Sequence, residues 1–157
     1  MERRTRVYAD TSVFGGVWDR EFAVVTRRFF AEVRSGKYVI LISEVTAREL
    51  EGAPSTIRRF MAGLPPSAIE PIIFSREMAE LRDAYLAAGV LAAKWRDDAA
   101  HVAAATVARA DLIVSWNFRH LVKWDKIRAF NAVNLSLGYP LMTILSPREV
   151  ISDEEGL

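Results

Sequence analysis

Arg6-Val7-Tyr8-Ala9-Asp10-Thr11-Ser12 decides how the rest of the chain is read. Val7-Tyr8-Ala9 has the composition of a short buried strand, and Asp10-Thr11-Ser12 carries the small polar side chains that start helices. A strand running straight into a helix is the first half of a βα unit. The pattern recurs along the chain. Tyr38 to Ile42 is continuously apolar and is followed by Ser43, a capping residue, and by a helix over Glu44 to Glu51. Ile69 to Phe74 reads as a third strand, with Pro71 arguing for an edge position or an early break. Leu112 to Ser115 reads as a fourth strand and Leu141 to Leu145 as a short fifth.

Helical segments fill the intervals. Glu21 to Ser35 spaces Phe22, Val25, Phe29, Phe30 and Val33 at helical period, with Gly36 as its stop. Ser55 to Ala62 is broken by Gly63-Leu64-Pro65-Pro66, and Ser75 opens a helix carrying Met78, Leu81, Tyr85 and Leu86 that ends near Gly89. Arg96 to Arg109 is alanine-rich, Trp124 to Leu137 is closed by Gly138-Tyr139-Pro140, and Pro147 to Val150 forms a last turn. This alternation predicts an α/β domain of three layers, α/β/α, around a parallel sheet of about five strands. Residues 1–157 form one domain in this reading, and 152–157 read as a frayed acidic tail.

Composition bounds the function. Of 157 residues, 51% are hydrophobic and 26% charged, with a formal net charge of only +1. That balance excludes a general basic coat for nucleic acid and leaves charge to act locally. Basic residues gather at Arg3, Arg4 and Arg6, at Arg58-Arg59, and at Arg119, Lys123, Lys126 and Arg128. The chain has no cysteine, which removes disulfides, thiolate zinc sites and a cysteine nucleophile. No apolar core of a signal peptide follows the basic start, and no apolar run reaches membrane-spanning length, so a soluble cytoplasmic protein is expected.

Open parallel sheets bind ligands at the carboxyl ends of their strands. Four polar residues fall there: Asp10 after the first strand, Glu49 in the helix after the second, Asp98 at the start of the alanine-rich helix, and Asn117 after the fourth strand. Each has an ordinary reading as a helix cap, a helix acid or a turn residue. Together, in such apolar surroundings, they have the character of a site for a hard divalent cation with oxygen ligands. Glu44 and Asp97 are alternative acids beside Glu49 and Asp98. His101 reads first as a packed helix histidine and second as a direct metal ligand, His120 as surface first and an RNA contact second, and Trp95, Trp116 and Trp124 as packing residues able to stack bases. No serine has a His/Asp relay and no glycine-rich stretch resembles a phosphate-binding loop. A phosphate-receiver domain would need an aspartate after the third strand, and none follows Phe74.

Ala9-Asp10-Thr11-Ser12, Ile42-Ser43-Glu44-Val45-Thr46-Ala47-Arg48-Glu49-Leu50, Asp98-Ala99-Ala100-His101-Val102-Ala103-Ala104-Ala105 and Ile113-Val114-Ser115-Trp116-Asn117-Phe118 together resemble, in order and over most of the chain, a PIN-domain ribonuclease of the VapC-like toxins of toxin–antitoxin modules. The resemblance implies a PIN-like fold and an endoribonuclease dependent on Mg2+ or Mn2+. It carries Asp10, Glu49 and Asp98 over as metal ligands, and favours Glu49 over Glu44 and Asp98 over Asp97. Asn117 stands where many members have a further aspartate, so one negative charge is missing and its role is to orient. Thr11 and Ser115 are expected to orient the carboxylates through their hydroxyls. Implied partners are an RNA substrate, a cognate antitoxin that blocks the acidic groove, and a second copy in a homodimer, with no membrane. The alternative is a non-catalytic PIN-like module that binds RNA or protein.

Overall fold

Five strands form one sheet because each apolar run must bury both faces, and the helices between them supply the cover. A computed structural model describes residues 3–152 of the chain. The strands are β1 (Thr5–Ala9), β2 (Tyr38–Ser43), β3 (Ile69–Ile72), β4 (Leu112–Val114) and β5 (Ile144–Leu145), all parallel, in the order β3-β2-β1-β4-β5. The helices are α1 (Thr11–Gly15), α2 (Ala23–Arg34), α3 (Glu44–Glu51), α4 (Ser55–Ala62), α5 (Arg76–Ala87), α6 (Arg96–Val107), α7 (Trp124–Ser136) and α8 (Pro147–Val150). The chain is an α/β protein with a three-layer arrangement. Two buried cores lie against the sheet: Tyr8, Leu41 and Ile113 pack with α5, α6 and α7, and Val7, Ala9, Ile40 and Val114 pack with α1 and α2.

The alternation read from sequence holds, and the strand ends differ most at β3 and β5. β3 stops at Ile72 and Ile73 beyond it is largely exposed, as expected for an edge strand carrying Pro71. β5 is confined to Ile144–Leu145 because Met142 is drawn aside: its N–H donates to Asn131 Oδ1 (2.7 Å) and its carbonyl accepts from Asn131 Nδ2 (3.0 Å). Ser152 donates through its N–H to Glu32 Oε1 (3.0 Å); the rest of the acidic tail, 153–157, lies outside the described residues. No described helix is long and apolar enough to cross a membrane.

The strand order places the switch of chain direction beside β1. The chain leaves β1 outward through β2 to β3, then returns to lay β4 along the other side of β1. Such a switch point opens a crevice at the carboxyl ends of the two central strands. Ala9 pairs with Val114, so Asp10 and Ser115 emerge side by side into it. α6 reaches the same edge: Ala99, Ala100, Ala103, Ala104 and Ala105 are all buried, and side chains this small let the helix sit close to the sheet.

Gly16, just after α1, fixes the packing beneath the crevice. A Cβ there would lie 2.7 Å from Thr26 Oγ1 and 2.8 Å from Trp116 Nε1, atoms that bond to each other at 2.9 Å. Gly16→Ala must separate them, and it is expected to destabilise the fold by about 1–3 kcal/mol, the usual range for overpacking. Equilibrium urea unfolding measures this; an unchanged midpoint would show that the loop yields freely.

At the other end of the sheet, Arg6 forks onto Glu70 at 2.9 and 2.5 Å. This hydrogen bond holds the Glu70 carboxyl below its ordinary 4.5, against a smaller opposing effect of burial. A depressed carboxyl pKa stabilises the fold above the unfolded value and loses that contribution as pH falls through the folded value. Glu70→Gln should therefore flatten the loss of stability below about pH 4.5, by under about 1 kcal/mol because the pair is partly exposed. Thermal unfolding of both proteins across pH 3–7 reads the difference.

Candidate functional site

Asp10 is the N-terminal flanking residue of α1, yet its side chain does not cap the helix. The carboxylate is only 3% exposed and accepts from Ser12 Oγ (2.6 Å) and Ser115 Oγ (2.8 Å). The same hydroxyls tie the end of β4: Ser12 Oγ accepts from the Trp116 N–H and Ser115 Oγ from the Asn117 N–H, both at 2.9 Å. Burial pushes the Asp10 carboxyl above the ordinary range. His101 and the two serine hydroxyls pull it down, and Asp98 adds to the rise.

Glu49 comes from the last turn of α3. Its Oε1 accepts from Thr11 Oγ1 (2.7 Å) and lies 2.6 Å from His101 Nε2. Burial opposes its charge, but His101, Thr11 and Arg48 outweigh it and hold the carboxyl below its usual range. His101, on α6 and 2% exposed, meets Tyr8 Oη with Nδ1 at 2.6 Å, and Tyr8 Oη meets Ser43 Oγ at 2.6 Å. Burial disfavours the imidazolium, but Tyr8, Glu49 and Asp10 outweigh it and hold His101 well above its ordinary value. As an imidazolium it donates Nε2–H to Glu49 and Nδ1–H to Tyr8, and Tyr8 in turn donates to Ser43. One proton-rich line thus runs from β2 through β1 and α6 to the acid on α3.

Asp98, in the first turn of α6, meets His120 Nδ1 through Oδ2 at 2.6 Å. Asn117 uses Oδ1 to accept from the N–H groups of Arg119 (3.2 Å) and His120 (3.0 Å), so its carbonyl shapes the turn that presents His120. Glu49, Asp98, Asn117, Trp95 and His120 line one open pocket of about 470 Å³. Of the two alternative acids, Glu44 lies outside this pocket and Asp97 is in its wall. Glu44 is exposed in a neighbouring pocket, and Asp97, which borders both, pairs with Arg48 at 2.7 Å.

The fold therefore gathers Asp10, Glu49, Asp98 and Asn117 at one sheet edge. It also adds residues that sequence reasoning missed: Tyr8, Ser12, Ser43 and His120. Ser12 lay inside the quoted Asp-Thr-Ser run, but the partnership of Tyr8 with His101 and Ser43 appears only once β1, β2 and α6 are in register. The donor set suits a hard cation, being carboxylate oxygens from three separate segments. Glu49 and Asp98 each bond through one oxygen, Oε1 and Oδ2, and the other oxygen accepts nothing from the described residues. No group of three or more His, Asp or Glu side chains among the described residues is set to hold an ion.

Compared with known proteins, the chain matches no family model, and no curated sequence matches it closely.

Proposed function

We propose that this protein is a metal-dependent endoribonuclease that hydrolyses RNA phosphodiester bonds. The observation that supports the reading is that Glu49 and Asp98, from α3 and α6, line one open pocket, while Asp10, at the end of β1, lies near enough to feel the charge of Asp98. The resemblance to VapC-like PIN ribonucleases points the same way. Asp10, Glu49 and Asp98 would hold Mg2+ or Mn2+, which supplies a water of lowered pKa and neutralises charge building on the phosphate. The chain's own groups orient that centre. Ser12 and Ser115 fix Asp10, Thr11 and His101 fix Glu49, and His120 fixes Asp98. Ligands held this way are pre-organised, and their supporting bonds are worth about 10–100-fold in metal affinity or activity.

One observation favours the alternative, a non-catalytic module: every carboxylate of the site already has a protein donor. Metal decides between them. Cleavage of a mixed RNA substrate is expected with Mg2+ or Mn2+, is lost with EDTA and returns when the ion is restored. RNA that stays intact throughout across a broad substrate set favours the binding module. In the setting that the resemblance implies, the protein is a cytoplasmic toxin, paired with a cognate antitoxin and assembled as a homodimer; co-expression with the product of the adjacent gene, followed by size-exclusion chromatography, tests both partners.

A further inference from the structure

We propose that a single-stranded polynucleotide crosses the acidic centre along a track of three adjoining pockets, gripped by cations and flat rings on both sides. This rests on the reading of the acidic centre as a phosphodiester site. On one flank, a pocket of about 410 Å³ is lined by Arg48, Arg82, Arg96 and Phe74, with Glu44 and Asp97 also in its wall, and borders the central pocket at Asp97. On the other, a pocket of about 290 Å³ is lined by Arg119, Lys123 and Lys126 with no carboxylate in its wall, and shares Trp95, Arg119 and His120 with the central one.

The charge distribution carries the argument. The whole chain is +1, so cations are not in general surplus. Arg48, Arg82 and Arg96 nevertheless stand on one side, and Arg119, Lys123 and Lys126 on the other, of acids that would by themselves repel a phosphate. The flanks supply rings as well as charge. Trp95 stands at the junction, with Arg119 Cζ 4.9 Å and Lys94 Nζ 5.1 Å from its ring and the His120 ring 4.6 Å away. Phe74 stands in the far pocket with Arg82 Cζ 5.7 Å from its ring. An acidic peptide would answer the cations but has no use for the rings. A duplex would offer phosphates but keep its bases stacked inside. Unpaired bases on a phosphate backbone satisfy both features.

Some of these cations have partners now. Arg48 pairs with Asp97, Arg82 with Asp83 at 3.0 Å, and Lys126 Nζ donates to the Val90 carbonyl at 2.8 Å. The Arg48–Asp97 pair is exposed on both sides and contributes little, so a phosphate can exchange into it at small cost, whereas the Arg82 side chain is only 17% exposed. Lys126 is instead anchored, which makes Arg48, Arg96, Arg119 and Lys123 the residues to vary.

The test is fluorescence anisotropy with labelled single-stranded RNA in EDTA, so that binding is read apart from cleavage. The double variants Arg48→Ala/Arg96→Ala and Arg119→Ala/Lys123→Ala should each weaken binding about tenfold or more at low salt, and every phosphate that is no longer neutralised should reduce the log–log salt slope by about 0.7. Trp95→Leu should weaken it about tenfold with little change in slope. Arg27→Ala, on α2 across the sheet, should leave it unchanged. Single-stranded DNA is expected to bind comparably and duplex RNA more weakly. The track is overturned if only one flank matters, if Arg27→Ala weakens binding as much, if poly-glutamate competes as well as RNA, or if the wild type binds no strand. A wild type that binds the strand through both flanks yet never cleaves it with metal supports the track and overturns the nuclease reading alone.

Discussion

Asp10→Asn is expected to remove at least about a hundredfold of the metal-dependent RNA cleavage and, at the same time, to raise the thermal midpoint of the metal-free protein. The loss follows from charge: the amide keeps the shape and one acceptor oxygen but gives up the anion that would hold the cation and place its water. The gain follows from burial. Asp10 is 3% exposed, and desolvation is the largest influence on its carboxyl, raising its pKa. A folded state that disfavours the charged form is relieved when the charge is removed. For a chain of this length each kcal/mol so recovered is worth about 2–4 °C. Initial rates on a labelled RNA and unfolding scans in EDTA measure the two effects. Retained cleavage would refute the ligand assignment. A lowered midpoint would mean instead that Ser12, Ser115 and His101 need the full carboxylate more than burial penalises it.

His101→Leu is the change with the largest expected cost to the fold. Leucine fills the space but takes the cation away from Glu49 Oε1, which keeps only Thr11, and the ring nitrogen away from buried Tyr8 Oη, which keeps only Ser43. Removing one member of a buried ion pair typically costs 3–5 kcal/mol. We expect about 3 kcal/mol, because the Glu49 side chain is 31% exposed and water can reach it. The pH profile supplies a second signature. His101 is raised well above its ordinary 6.5, so its contribution is complete below that value and fades as pH climbs through the elevated folded one. The wild type should therefore lose stability on the alkaline side, and His101→Leu should not. Denaturant unfolding at a series of pH values reads both quantities. An unchanged midpoint at neutral pH, or an alkaline limb that survives the substitution, would rule out the charged line through Tyr8.

The alternation of strands and helices was plain in the sequence because its causes are local. Val7-Tyr8-Ala9 and Tyr38–Ile42 are too apolar to face water, and Ser43 and Ser75 stand where helices begin. The shortening of β5 was hidden, since it depends on Asn131 reaching across to Met142 from another element. The acids were visible as residue types at strand ends. Their bonding was less so. Thr11 and Ser115 are near neighbours of acidic positions in a motif, and the structure puts their hydroxyls on Glu49 and Asp10. His101 reads from sequence as one more buried helix residue. Its two ring nitrogens acquire meaning only from Tyr8 and Glu49, 93 and 52 positions away. Asn117 proved to have the more ordinary of its two readings, at least for its carbonyl oxygen, which holds a turn.

The lateral pairing of β1 with β4 has a consequence in time. Asp10 receives one of its two hydroxyl donors from Ser115, 105 positions later. Until β4 docks, β1 is an open edge on that side and the crevice lacks one wall. Non-local pairing of this kind forms late and slowly. A nascent chain can thus carry Asp10, Glu49 and Asp98 out of the ribosome and still be inert, because the geometry that gathers them closes only when the fourth strand arrives. Under the proposed nuclease function, such a delay would keep the chain harmless to RNA until the fold is finished.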